Sequence, residues 1–103
     1  MIIYQVSCKV NIDLAAKWEA YFIEQHLDDV LNTGCFTGYD FRKEKLDEEN
    51  ILFSSEYYCE SEADLERYNT TFAAALKADI NSKFGGYYDC HRHIYQSIIS
   101  KKA

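Results

Sequence analysis

The apolar period of this chain switches back and forth between two residues and about 3.6, and only a small set of folds accepts that order. At the start, Ile2, Tyr4, Val6, Cys8 and Val10 alternate with Ile3, Gln5, Ser7 and Lys9, which marks a strand with one buried face. From Asp13 the spacing becomes helical. Ala16, Ala20, Ile23, Leu27 and Leu31 form one stripe, and Leu14, Trp18, Tyr21 and Phe22 form a second. A surface helix needs one apolar stripe. Two imply that the second meets another subunit, or closes a pocket, or that the helix breaks near His26 and the stripe rotates across the break. Asn32-Thr33-Gly34 then supplies a glycine suited to a helix C-terminus. Stretches 35–46 and 51–60 are rich in aromatic and β-branched residues around the polar turn Asp47-Glu48-Glu49-Asn50, and they read as a hairpin. Ser61, with Asp64 three residues on, opens a second helix, because a hydroxyl and an acid at that spacing satisfy its first free amides. Leu65, Tyr68, Phe72, Ala75, Leu76 and Ile80 continue it, and Gly85-Gly86 stops it before a last strand over 87–99.

The resulting β-α-β-β-α-β order predicts an α+β fold, a ferredoxin-like sandwich spanning 1–103 as one domain, with a four-stranded antiparallel sheet and both helices on one face. In that topology the first strand lies between the third and the last. Alternation then assigns the bare face: Gln5, Ser7 and Lys9, then Ser54, Glu56 and Tyr58, then Asp89, His91, His93 and Tyr95, with Thr37, Tyr39 and Phe41 on the remaining edge. A face so rich in aromatic groups predicts a cover, and a second copy of the same sheet is the economical one, so a homodimer is expected.

With 11 Lys and Arg against 17 Asp and Glu, the net charge of -6 repels polyanions, and the basic residues form no stripe interleaved with aromatics. Nucleic acid is therefore not an expected partner. The apolar opening is interrupted by Gln5, Ser7 and Lys9 and has no basic leader, so neither a membrane span nor a signal peptide is expected and the address is cytoplasmic. Cys8, Cys35, Cys59 and Cys90 are far apart and make no C-x-x-C pair. In a reducing compartment they read as small buried hydrophobes rather than a disulfide or a thiolate metal site. Cys8 and Cys90 fall on the buried face, where a thiol's pKa rises and its reactivity drops.

His26 is the best single candidate for chemistry. It sits at the expected helix break one turn beyond Phe22, where a neutral imidazole could act as general base or hydrogen-bond donor to a small ligand. The competing reading makes it a cap on the broken helix. Asp89, His91 and His93 share one strand face at a spacing that suits a divalent metal, with Glu56 as the available further ligand, but a polar interface is the expectation and no metal site is assigned. Glu56, Tyr58, His91 and Tyr95 could instead line a semi-polar cavity between two sheets, and Trp18 and Phe22 could wall a pocket at His26. At their helical spacing, Trp18, Phe22, Tyr68 and Phe72 are core residues before they are a cofactor box. Flavin, nicotinamide, phosphate-loop, nucleophile-elbow and H-E-x-x-H motifs are absent, so no cofactor is expected.

Trp18 followed by His26, then Leu27, Val30, Leu31, Thr33, Gly34, Phe36 and Thr37, resembles the pattern of a family of short bacterial proteins known only as a domain of unknown function. Glu60-Ser61, Asp64-Leu65, Arg67-Tyr68, Leu76 and Phe84-Gly85 extend the resemblance over nearly the whole chain. The topology resembles the dimeric α/β-barrel superfamily, which includes small monooxygenases, isomerase-like and decyclase-like enzymes, and binding modules. Two departures matter. The family pattern places Pro two residues after the histidine, where this chain has Asp28, and often a second histidine where it has Phe72, which weakens a paired-histidine mechanism. The family resemblance is uninformative about chemistry, and the reading of the chain as a whole is a cytoplasmic homodimer that binds a small molecule or a protein partner. The alternative is a cofactor-independent enzyme, monooxygenase- or isomerase-like, with His26 as base. The two readings differ in shape: a binding or structural module predicts that helix and sheet pack shut around His26, whereas the enzyme predicts a cavity of a few hundred cubic ångströms opening beside it.

Overall fold

Strand pairing turns the alternation of this sequence into two unlike sheet faces. In the computed structural model, which describes residues 1–103, β1 (Ile2–Asn11), β2 (Gly38–Lys45), β3 (Asn50–Cys59) and β4 (Tyr88–Gln96) form one antiparallel sheet in the order β2-β3-β1-β4. This is the ferredoxin-like arrangement. Central β1 places Cys8 opposite Phe53 of β3 and opposite Cys90 of β4. Tyr4, Cys8 and Val10 of β1 and Phe53, Ser55, Tyr57 and Cys59 of β3 are buried on the helix side. The largest burials are aromatic. Trp18 packs on Phe22, Phe53 and Phe84, and Phe22 stacks on Phe41, while Tyr4, Phe36, Tyr57 and Tyr68 form a second group. Full burial of each such side chain stabilises the fold by roughly 1.5–3 kcal/mol.

Both helices are continuous but neither is uniform. The first, 12–31, runs as α-helix over Ile12–Tyr21, as π-helix over Phe22–His26 and again as α-helix over Leu27–Leu31. The helix does not break at His26. A wider turn, in which the Leu27 amide donates to the Phe22 carbonyl, inserts one extra residue and rotates the apolar face. That rotation accounts for the two stripes. The second helix, 62–84, repeats the device: α-helix over Glu62–Arg67, π-helix over Tyr68–Phe72, α-helix over Ala73–Phe84. The ends follow the local chemistry. Asn11 accepts from the Asp13 amide and Ser61 from the Asp64 amide, while Gly34, at φ +77°, adopts the left-handed backbone that ends the first helix. Arg67 donates to the carbonyls of Thr33 and Gly34 and so ties the second helix to the end of the first.

The sheet corrects three face assignments. Tyr39 pairs with Tyr57 and Phe41 with Ser55, so both point toward the helices, and Phe41 stacks on Phe22 and Phe53. Asp40 and Arg42 take the bare face in their place, opposite Glu56 and Ser54. Thr37 precedes β2, and its backbone and hydroxyl both donate to the Tyr58 carbonyl. The parity of β2 is set by the pairing across the turn, and aromatics at both parities (Phe36, Tyr39, Phe41) conceal it in the sequence. The last strand ends at Gln96, which leaves Ile98 and Ile99 exposed at 91% and 86%. Cys8 and Cys90, expected to be reduced, are joined in a disulfide across β1 and β4, their Cα atoms 4.1 Å apart. A directly opposed antiparallel pair brings side chains that close. Cys35 and Cys59 are free and buried.

Candidate functional site

A residue facing the helices from the middle of a central strand should be inaccessible, and Tyr4 and Cys8 are, at 5% and 3% exposed. Val6 between them is only half-buried. The space above it is a cavity of about 300 Å³ between sheet and helices, bounded by Val6, Cys8 and Tyr57 below and by Phe22, His26, Tyr68, Leu76 and Ile80 from the helices. Twelve of its 16 lining residues are hydrophobic, which suits an apolar ligand body. The later part of the second helix opens this space: of Ala73–Phe84 only Phe84 is buried, and Leu76 and Ile80 remain half-buried over the gap. A broader hollow of about 710 Å³ lies outside, around Lys9, Asp13 and Tyr87, with mainly polar walls and no buried polar atom left unpartnered. It is a surface depression between loops and strand ends.

His26 enters the cavity wall as the last residue of the π turn and is 6% exposed. Its Nδ1 is buried without a hydrogen-bond partner, as are Trp18 Nε1 and Tyr21 Oη on the same helix. The helix runs on through His26 into Leu27–Leu31, so there is no broken end at this position for the ring to cap. Burial lowers the pKa of His26 to about 4, partly opposed by the carboxylates of Asp29 and Asp79. The imidazole is therefore neutral at neutral pH, with one nitrogen able to donate a hydrogen bond and the other able to accept one. The phenols of Tyr57 and Tyr68 are pushed upward, chiefly by burial, and stay protonated.

The sheet divides the residues read from the sequence into two sets. Phe22 lines the cavity with His26, whereas Trp18 is fully buried against Phe22 in the core and is not among the residues that line it. Glu56, Tyr58, His91 and Tyr95 lie on the opposite face, away from the cavity. There Glu56 pairs with Arg42 at 2.8 Å, His91 Nε2 lies 3.4 Å from Asp89, and Tyr95 donates to Gln5 at 3.4 Å. No group of three or more His, Cys, Asp or Glu side chains is placed to hold a metal ion. No helix is long and apolar enough to cross a membrane. The residue missed by the sequence reading is Arg92. It stands opposite Val6 on the helix side of β4 and donates through Nε to Tyr4 Oη at 3.0 Å. A charge at the parity of Cys90, on an otherwise apolar face, was the available signal.

Comparison with known proteins adds family and fold. The family described as a domain of unknown function (DUF4286) matches residues 1–98. Curated protein sequences give no significant match. Among solved structures, a Bacillus cereus protein provisionally named an antibiotic biosynthesis monooxygenase is similar at TM-score 0.66 and 13% identity, over 99% of this chain and 97% of that one. A variant of SnoaB, a cofactor-independent oxygenase from Streptomyces nogalater, is similar at TM-score 0.65 and 7% identity, over 96% and 95%. A de novo designed protein with a ferredoxin fold is similar at TM-score 0.52 and 10% identity, over 100% and 93%. Since a designed chain shares the arrangement, the likeness speaks for the fold and the chemistry must be argued from the cavity.

Proposed function

The chain belongs to the DUF4286 family, a domain of unknown function, and we propose that it binds a small, largely apolar molecule in the cavity beside His26, which hydrogen-bonds a polar group of that molecule. The observation that carries this is that His26, whose Nδ1 is buried without a hydrogen-bond partner, is among the residues that line the cavity. An unsatisfied buried polar atom costs about 1–3 kcal/mol, which a ligand group at that position would recover. A sealed core would have left no reason for Val6 to be accessible. The test is a titration with 2-naphthol followed by the imidazole signals of His26 in NMR. Saturable shifts, with affinity falling about tenfold in His26→Leu, support the reading; unmoved His26 signals refute it.

The second reading is a cofactor-independent oxygenase of the kind named for SnoaB, with His26 as base. Its support is the neutral imidazole within an apolar cavity of the same fold. An imidazole whose pKa is about 4 is a weak base, so this reading requires an acidic phenolic or enolic substrate. Dioxygen uptake with an air-oxidisable dihydroxynaphthalene, abolished in His26→Leu, distinguishes it from binding alone.

The same proposal treats residues 1–103 as one domain that pairs through the bare sheet face. Half-buried Ile3, Leu52 and Tyr58 and the 47% exposed Tyr95 supply apolar surface there that a second copy would cover. A monomer in sedimentation at micromolar concentration removes that element. If the protein is cytoplasmic, the reducing pool holds Cys8 and Cys90 as thiols, so their state in cells reports the compartment.

A further inference from the structure

The cavity differs in charge from the rest of the molecule. Acids outnumber bases by 17 to 11 along the chain, yet no carboxylate lines the cavity, while Lys77, Arg92 and His26 do. Neither Lys77 nor Arg92 takes part in any of the chain's ion pairs. Asp89 lies in an adjoining shallow hollow that shares both cations, and its carboxylate is 3.4 Å from His91 instead. Arg92 is held in place: its Nε donates to Tyr4 Oη at 3.0 Å, and Tyr4 is buried among Phe36, Tyr57 and Tyr68. That bond restrains the guanidinium through Nε and leaves its two terminal amino groups free for a planar acceptor with two oxygens. The cavity is thus graded. Lys77 and Arg92 are exposed at its mouth, Val6 and Leu76 are half-buried along it, and His26 is buried at the closed side.

Resting on the small-molecule reading above, we propose that the ligand is an aromatic carboxylate. Its carboxylate is received between Arg92 and Lys77, its ring lies over Val6 and against Leu76, and a polar substituent reaches His26. A charge-assisted, two-point bond to a preoriented guanidinium explains why a strongly acidic protein keeps two unpaired cations at one apolar opening. Tyr4 is the positioning residue, because it touches Arg92 rather than defining the charge.

The test is calorimetric titration of the protein with 2-naphthoate and with its neutral isostere 2-naphthamide, with His26 imidazole NMR signals to place both probes. The expected result is that naphthoate binds about tenfold more tightly than naphthamide. Arg92→Gln should bring the ratio near one and Arg92→Lys should restore part of it. Tyr4→Phe should reduce the ratio with no change in charge, and Arg42→Gln on the opposite face should leave it intact. Fluorescence of the single buried Trp18 verifies that each variant is folded. If Arg92→Gln does not fold, weakening of naphthoate but not naphthamide by added salt decides in its place. Equal affinity of the two probes, both moving His26, overturns the carboxylate and leaves the small-molecule reading standing. Probes that never move His26 overturn both.

Discussion

Burying a neutral imidazole links stability to pH in a window where few other groups titrate. The pKa of His26 falls from an ordinary 6.5 to about 4 in the folded chain, chiefly through burial. Because the folded value lies below the unfolded one, protons bind the unfolded chain first. Stability is then complete above about pH 7.5, falls as pH drops through 6.5 and levels off below about 4. At about 1.36 kcal/mol per pKa unit, the full loss is about 3 kcal/mol, and about 2 kcal/mol is already lost at pH 5. That is a visible share of the 5–15 kcal/mol typical of a domain. Carboxylates contribute little above pH 5, since their ordinary pKa values lie near 4. The assay is urea denaturation at half-unit pH steps from 7.5 to 5, read by Trp18 fluorescence with the disulfide intact. His26→Gln should lose most of the slope in this window. Parallel curves for the wild type and His26→Gln would show that the imidazole is not held neutral in the folded state, and the account of the cavity wall would fail with it.

Two further outcomes test the fold itself. Phe41→Ala should lower stability by about 2 kcal/mol, because the half-buried Phe41 stacks on Phe22 and Phe53, and a loss under about 0.5 kcal/mol in denaturant titration would return it to the bare face. Reducing Cys8–Cys90 opens a loop with a sequence separation of 82 and should cost about 4.5 kcal/mol by loop entropy, so a midpoint unchanged by reductant would mean that the strands do not rely on this bond.

The order of the elements is legible in local sequence windows. Alternation in β1 and helical spacing after Asp13 and Ser61 are properties of short stretches, and the caps at Ser61 and Gly34 depend on residues three or fewer positions away. From that order the antiparallel sheet and the central place of β1 follow, because few connections of such elements are short and unknotted. The candidate site was half legible. His26 stood out because the apolar stripe changes course there, and the π turn is the physical cause. The turn at Tyr68–Phe72 left no such trace, since no charged or ionisable group comparable to His26 marks its end.

The remaining features rest on contacts between residues far apart in the chain. The parity of β2 comes from its pairing across a turn, the disulfide joins positions separated by 82 residues, and the Arg92–Tyr4 bond spans 88. The cavity is less legible still. It lies between Val6 and the helix over Ala73–Phe84, whose Leu76 and Ile80 stay half-buried over it. Periodicity records which way a side chain faces, whereas an unfilled volume depends on the sizes of all the side chains that meet there. The layers and their order follow from periodicity within short windows. Packing decided that the layers do not close over His26.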